Sequence, residues 1–307
     1  MSTALPRLRV NVFPGGFNWP LFVGNALGLF ERHGIAVEIQ STTASVAQMT
    51  DFAAGRFDIA MTAFDNIVAY VEGQGEAPIG AQPDFCAFLG SDSSFLSLVG
   101  ATGVAERADL RGRAVSVDAA TTGYAFVLFD LLHRAGLGPD DYRVAKVGGM
   151  VQRFDDLVRG GHAATMLSTP YDLLAEQAGL RVLARLDGPY QGNVAATRRS
   201  WAEDHAQELA GFVRGYIAAI AWLYDRGNAS EACRILVRNV PGMTAELAAA
   251  SYPVLLDPAR GFFRDGQIQH EAAQVVLDLR SRYGAGGVRL RDPSAYIDLR
   301  YLALARQ

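Results

Sequence analysis

One segment constrains this chain more than any other: Gly55-Arg56-Phe57-Asp58-Ile59-Ala60-Met61-Thr62-Ala63-Phe64. It reads as a helix end, a turn on glycine and a buried strand that stops at a small polar residue. An approximate echo stands at Arg159-Gly160-Gly161-His162-Ala163-Ala164-Thr165-Met166-Leu167-Ser168. In both, an amphipathic helix runs into glycine, apolar and small residues follow, and a hydroxyl closes the run. The chain thus carries one αβ unit of this kind in each half. Ligands of open α/β sheets sit beyond the carboxyl ends of the strands. Two such units facing one another place Thr62 and Ser168 on opposite walls of one cleft. The expectation is a two-lobed α/β ligand-binding protein.

The rest of the chain fits that plan. Its 307 residues, half of them hydrophobic, are enough for about two domains. A strand over 8–13 runs into Pro14-Gly15-Gly16, and Asn18 can cap a helix over 19–33 that stops at Gly34. Two glycines and an alanine along that helix suggest close packing against the sheet. A strand over 35–40, a helix over 43–54 and a strand over 85–90 surround the first unit. Asp92-Ser93-Ser94 opens a strand that crosses to the second lobe with its polar triplet toward the cleft. There a strand over 114–117 leads through Thr121-Thr122-Gly123 into a long helix ending at Gly136. A strand over 143–147 and a helix over 151–158 precede the echo, and a strand over 181–184 follows it. Asn193-Val194-Ala195-Ala196-Thr197 returns the chain to the first lobe. A helix over 204–224 then carries Leu209, Phe212, Val213, Tyr216, Ile220 and Leu223 on one face. Lobe 1 is therefore 1–92 with 193–307, and lobe 2 is the insert 93–192. Two crossovers between lobes make a hinge-closing layout.

Composition narrows the function. A net charge of −4 argues against nucleic acid, whose phosphates call for a basic patch. Cys86 lies in a strand-like run and Cys233 in a helical one, so both read as buried hydrophobes and support neither a disulfide framework nor a metal site. No cofactor is expected. No run is long enough to insert in a membrane, and the chain is expected to be a monomer. The start, Met1-Ser2-Thr3-Ala4-Leu5-Pro6-Arg7, lacks the features of a secretory leader. The location expected is the periplasm or cell surface if a leader has been trimmed, and the cytoplasm if the sequence is complete.

Four stretches carry a family likeness. They are Gly28-Leu29-Phe30-Glu31-Arg32-His33-Gly34-Ile35-Ala36-Val37-Glu38, then Ala53-Ala54-Gly55-Arg56-Phe57-Asp58-Ile59-Ala60, then Asp109-Leu110-Arg111-Gly112-Arg113-Ala114-Val115-Ser116-Val117 continuing to Arg134-Ala135-Gly136-Leu137, and the helix from Glu208 to Tyr224. Together they resemble the type II periplasmic solute-binding proteins of ABC importers, above all the group binding sulfonates, taurine, nitrate and the thiamine pyrimidine precursor. The resemblance implies a periplasmic-binding-protein-like fold with a mixed sheet flanked by helices in each lobe. It also implies capture of a small solute by hinge closure, delivery to an ABC permease, and ligand contact at the Thr121-Thr122 turn. The chain departs from the family in carrying Ala163 where an acidic residue commonly matches Asp58. It also shows neither a leader nor an N-terminal lipid-bearing cysteine.

Candidate ligand residues follow from strand ends. Gly16-Phe17-Asn18-Trp19 follows the first strand, and Phe17 or Trp19 can stack on a planar ligand or simply staple the helix start. Thr62, Phe64 and Asp65 end one paired strand, and Ser168 and Tyr171 the other. Asp65 reads equally as a helix cap. Asp92 and Ser93 stand at the crossover, and Asn193 at the return. Thr121 and Thr122 precede a helix whose free amides attract anions, and either can serve as an ordinary cap. Tyr124 and Gln191 complete the set. Arg153 could grip an anion with both arms, but an arginine in a first helical turn reads as solvated surface. His162 reads as structural. With no clear cleft arginine, the aromatic residues favour a small, partly planar organic ligand.

Two functions remain open. One is a non-catalytic receptor feeding an importer. The other is a leaderless cytoplasmic enzyme on the same fold, decarboxylase- or lyase-like, acting on a small aromatic or carboxylic substrate through Asp65, Asp92 or Asp118. No cysteine stands at a strand end to act as nucleophile, which favours the receptor. A cytoplasmic ligand sensor is a third reading.

Overall fold

The computed structural model describes residues 4–80 and 83–307. The chain opens with β1 (Arg7–Val12), α1 (Trp19–Ala26), β2 (Ala36–Ser41), α2 (Ser45–Ala53), β3 (Ile59–Ala63), α3 (Phe64–Val71) and β4 (Phe85–Gly90). It continues with β5 (Leu96–Gly100), β6 (Ala114–Val117), α4 (Gly123–His133), β7 (Arg143–Lys146), α5 (Met150–Val158), β8 (Ala164–Ser168), α6 (Tyr171–Gln177) and β9 (Arg181–Arg185). After β10 (Asn193–Arg198) it is helical: α7 (Arg199–Asp204), α8 (Ala206–Tyr224), α9 (Ala229–Asn239), α10 (Ala245–Leu255), α11 (His270–Tyr283) and α12 (Arg300–Ala305).

Two five-stranded sheets result, ordered β2-β1-β3-β10-β4 and β7-β6-β8-β5-β9. In the first, β1 runs parallel to β2 and β3, while β10 runs antiparallel to β3 and β4. The second repeats this, with β6 parallel to β7 and β8 and β5 antiparallel to β8 and β9. The repeated αβ unit is therefore real, since β3 and β8 hold the same middle position. Each sheet takes as its fourth strand the one that follows a crossing from the other. Burial explains the strand composition. The inner strands β5 and β8 are buried throughout, as is the edge strand β4, which α12 covers, whereas the edges β2, β7 and β9 are largely accessible.

α1 and α8 pack together on the first sheet, and the predicted face of α8 is wholly buried from Leu209 to Leu223. Phe30 stacks on Phe212 with centroids 5.5 Å apart. A β-carbon at Gly24 or Gly215 would lie 2.3 or 2.4 Å from the Phe30 ring, so both glycines make room for it. Gly24 thus packs against an aromatic ring rather than the sheet.

Two expected elements differ. The helix over 19–33 stops at Ala26, because Gly28 takes a φ of +63° that turns the chain before a short 3-10 turn at Glu31–His33. Gly34 closes that turn as expected, with φ at +81°. The crossing strand begins at Leu96 and not at Asp92. Residues 91–95 form an irregular linker in which Ser94 and Phe95 sit at φ of +79° and +51°. No helix among the described residues is long and apolar enough to cross a membrane.

Candidate ligand-binding cleft

The carboxyl ends of the parallel strands of both sheets converge on a cavity of about 670 Å³, solvent at its mouth included. Phe13 and Phe17 enter it from the turn after β1, Ser45 from the start of α2, Ala63 from the end of β3 and Asn66 from the first turn of α3. The second sheet supplies Ser116 to Asp118 and Thr122 to Ala125 around the end of β6, Gly149, Met150 and Arg153 after β7, and Met166 from β8. Asn193, at the start of β10, lines it as well. This is where α/β sheets hold ligands.

Arg153 dominates its electrostatics. The residue is 4% exposed, so it is not the solvated surface arginine expected from its place in the first turn of α5. Nε donates to Gly148 O at 3.1 Å, and Nη1 donates to Thr165 Oγ1 at 3.2 Å and Met166 O at 2.6 Å. All these acceptors are neutral, and no carboxylate among the described residues pairs with it. Burial pulls its pKa below the usual value, an effect that Asp118 and Tyr124 oppose. A guanidinium stays charged through such a shift. Nearby, Ser116 Oγ is wholly buried without a hydrogen-bond partner among the described residues.

The remaining walls are polar at the rim. Thr122 sits in extended conformation at the N-cap of α4, but its hydroxyl donates to Ala119 O at 3.0 Å and leaves the helix amides without a side-chain cap. Asp118 accepts from Ser45 N at 3.2 Å and from Ser45 Oγ, joining the two sheets' loops across the cavity. The Tyr124 hydroxyl meets Ser94 Oγ at 3.0 Å, and burial raises its pKa, so the phenol is neutral. Asn193 Nδ2 donates to both oxygens of Asp92 at 3.1 Å.

Of the ligand residues expected from the sequence, Phe17, Thr122, Tyr124 and Asn193 line this cavity. The others are placed elsewhere by their own partners. Trp19 is fully buried; its Nε1 donates to Ala232 O at 2.9 Å and its ring meets Tyr252 edge-on at 5.8 Å. Gly16 packs under Leu255 and Thr169 O, where a β-carbon would come within 3.0 and 3.2 Å. Asn18 ties down the turn after β1 by donating to Phe13 O at 2.5 Å. Neither Thr62 nor Ser168 lines the cavity. The Thr62 hydroxyl accepts from Asn66 Nδ2 at 2.8 Å, and that of Ser168 donates to Met150 Sδ at 3.2 Å. Phe64 is core, edge-on to Tyr296 at 6.4 Å, and Tyr171 is buried against Phe154 at 5.6 Å.

Asp65 neither caps α3 nor reaches the cavity: it forms a two-pronged buried ion pair with Arg280, at 2.8 and 2.6 Å. Asp92 is fully buried and fastens the two crossovers together, accepting from Ser94 N at 2.7 Å, Asn193 N at 3.2 Å and Ser91 Oγ at 3.0 Å. Burial raises its pKa. Asp92 therefore turns inward to the crossovers, and Ser93 turns away to donate to Arg260 O at 2.6 Å. Thr121 donates to Glu76 at 3.2 Å. His162 pairs with Asp156, and Gln191 Nε2 donates to Asn193 O at 3.3 Å. Cys86 is core, its thiol pushed up to about 12 by burial, and Cys233 is half-buried on α9.

Phe13, Ser45, Asn66, Ser116, Met150 and Met166 line the cavity without having been expected there. Each lies in a strand or within four residues after one, the signal by which they could have been found. The placement of Trp19 carries its own test. Trp19→Phe keeps an aromatic ring but removes the indole's bond to Ala232 O, a carbonyl inside α9, at an expected cost of about 0.5–1.5 kcal/mol. Ligand affinity should stay within about twofold of the parent; a tenfold loss measured by calorimetry would return Trp19 to the binding site.

Comparison with known proteins agrees with this architecture. A family model described as the NMT1-like family matches residues 3–237. None of the curated proteins matches the sequence. Among solved structures, a Candida albicans protein described as having the generic periplasmic binding protein fold superposes with a TM-score of 0.74 at 16% identity, covering 96% of each chain. The periplasmic nitrate-binding protein NrtA from Synechocystis PCC 6803 gives 0.79 at 12% identity, over 98% of this chain and 85% of that one. The periplasmic aliphatic sulphonate binding protein SsuA from Escherichia coli gives 0.70 at 18% identity, over 99% and 100%.

Proposed function

Because this chain belongs to the NMT1-like family and has the periplasmic-binding-protein fold, we propose that it is a solute-binding protein for a small organic anion. It captures the anion by closing the lobe that runs to residue 92 and resumes at 193 onto the lobe 93–192. It then delivers the solute to an ABC permease, and the periplasm is the compartment this role requires. The observation that carries the reading is Arg153, a buried guanidinium on the cavity wall whose bonds all go to neutral acceptors. A buried charge without a direct ion-pair partner is costly, and an anionic ligand supplies one. Phe13, Phe17, Met150 and Met166 offer apolar surface for an organic body. The nitrate and sulphonate named for two structural neighbours are likewise anions.

The enzyme alternative has little to work with. Of the carboxylates considered for it, Asp65 is bound to Arg280 and Asp92 to the crossovers, which leaves Asp118, itself bonded to Ser45. Native mass spectrometry after incubation with sulfonates, pyrimidines and aromatic acids tests the assignment. A ligand retained and released at unchanged mass is the expected result. A released molecule of altered mass would make the protein an enzyme.

A further inference from the structure

The inference deepens the reading of the cleft as an anion site and rests on it. Arg153 is one of two charges on the cavity wall that form no ion pair among the described residues, and each feels the other only through the field across the cavity. The other is Asp118, a half-buried carboxylate on the same wall. Among the described residues, no arginine, lysine or histidine lies within ion-pair distance of it. Its hydrogen bonds come from Ser45 N and Ser45 Oγ, both neutral donors, and both reach Oδ2. Oδ1 has no hydrogen-bond partner among the described residues. The charges at the nearby rim are already matched, since Glu76 pairs with Lys146 at 2.7 Å while accepting from Thr121.

A cleft holding one unmatched positive and one unmatched negative group discriminates by charge pattern. A plain anion gains at Arg153 and is repelled by Asp118, and partial burial strengthens both effects relative to water. A solute that also carries a cationic group gains at both ends. We propose that the ligand is a zwitterion, an organic anion seated on Arg153 that bears a protonated amine seated on Asp118. Ser116 Oγ, wholly buried and without a partner among the described residues, donates a further hydrogen bond to the anionic end.

Titration calorimetry with matched pairs tests this: 3-aminopropanesulfonate against propanesulfonate, 3-aminopropanoate against propanoate, and 4-(aminomethyl)benzoate against 4-methylbenzoate. In the parent protein the aminated member of at least one pair should bind about tenfold tighter or more. Asp118→Asn keeps an oxygen acceptor for Ser45 and should bring that ratio to one or below, largely by tightening the plain anion. Plain anions binding as tightly as their aminated partners in the parent protein would overturn the zwitterion and leave the anion receptor standing. So would an unchanged ratio in an Asp118→Asn protein whose thermal melt shows it folded. Binding of none of the six compounds would overturn both.

Discussion

Asp65→Ala is expected to destabilise the protein by about 3–5 kcal/mol, the usual result of removing one partner from a buried ion pair. Both side chains are sealed off, at 0% and 1% exposure for Arg280 and Asp65. Without the carboxylate, the guanidinium keeps only Thr121 O at 2.7 Å, Gln74 Oε1 at 3.0 Å and the face of Phe126 at 4.8 Å. None of these carries a formal charge, so the buried cation is left uncompensated. The damage extends to the cleft, because Gly123 at the start of α4 lies directly on Asp65, where a β-carbon would come within 2.5 Å of Asp65 Cβ. Arg280 comes from α11, Asp65 from α3 and Thr121 from the turn before α4, so the pair joins the two sheets' helices from behind. The Lys146–Glu76 pair also joins the two sheets but is solvent-accessible, and its loss should cost no more than about 1 kcal/mol. Asp65→Leu combined with Arg280→Met should recover most of the stability lost by Asp65→Ala, since an apolar replacement of both charges removes the uncompensated one. Urea unfolding of the single and double variants measures this. A loss below about 1 kcal/mol for Asp65→Ala would show that water or rearrangement satisfies Arg280.

The sequence announced the sheets and hid the partners. β3 and β8 were readable because a glycine turn, a short apolar run and a hydroxyl are local signals, and their repetition placed both in equivalent positions. The first crossing was read as a strand from Asp92, where the chain instead forms an irregular linker over 91–95 with Asp92 turned inward. Among the expected ligand residues that the structure sets away from the cavity, Trp19 and Asp65 each have a partner far along the chain. Trp19 bonds to Ala232 across 213 positions, and Asp65 to Arg280 across 215. No local pattern distinguishes an aromatic that stacks on ligand from one covered by α9 and α10. Arg153 was misread for a related reason. Its position in a first helical turn suggests solvent, but the end of β8 lies over it and takes its hydrogen bonds at Thr165 and Met166. Asp118 was visible as a carboxylate after a strand end, and only the folded chain shows that it shares a cavity with Arg153.

Arg153→Met is expected to weaken anion binding by about a hundredfold or more, within the range found when one partner of a buried charged pair is truncated. The size follows from what the side chain does in the free protein. Nε and Nη1 are already engaged by Gly148 O, Thr165 Oγ1 and Met166 O, so the guanidinium plane is held in place before ligand arrives. A pre-positioned cation gives up little freedom on binding. Methionine fills similar space and supplies neither charge nor donors. Arg153→Lys should fall close to Arg153→Met, because an ammonium cannot reproduce the planar fork that serves those acceptors and a ligand together. Both variants leave the carbonyls of Gly148 and Met166 short of a donor, with an expected stability loss of about 1–3 kcal/mol. Thr165 Oγ1 keeps its bond to Ser116 O at 2.9 Å, so the β6–β8 pairing beside it should survive. Calorimetry for affinity and a thermal melt for folding separate the two effects. A folded Arg153→Met protein that binds the anion within about threefold of the parent would mean the anionic group lies elsewhere, at the uncapped amides of α4 first of all.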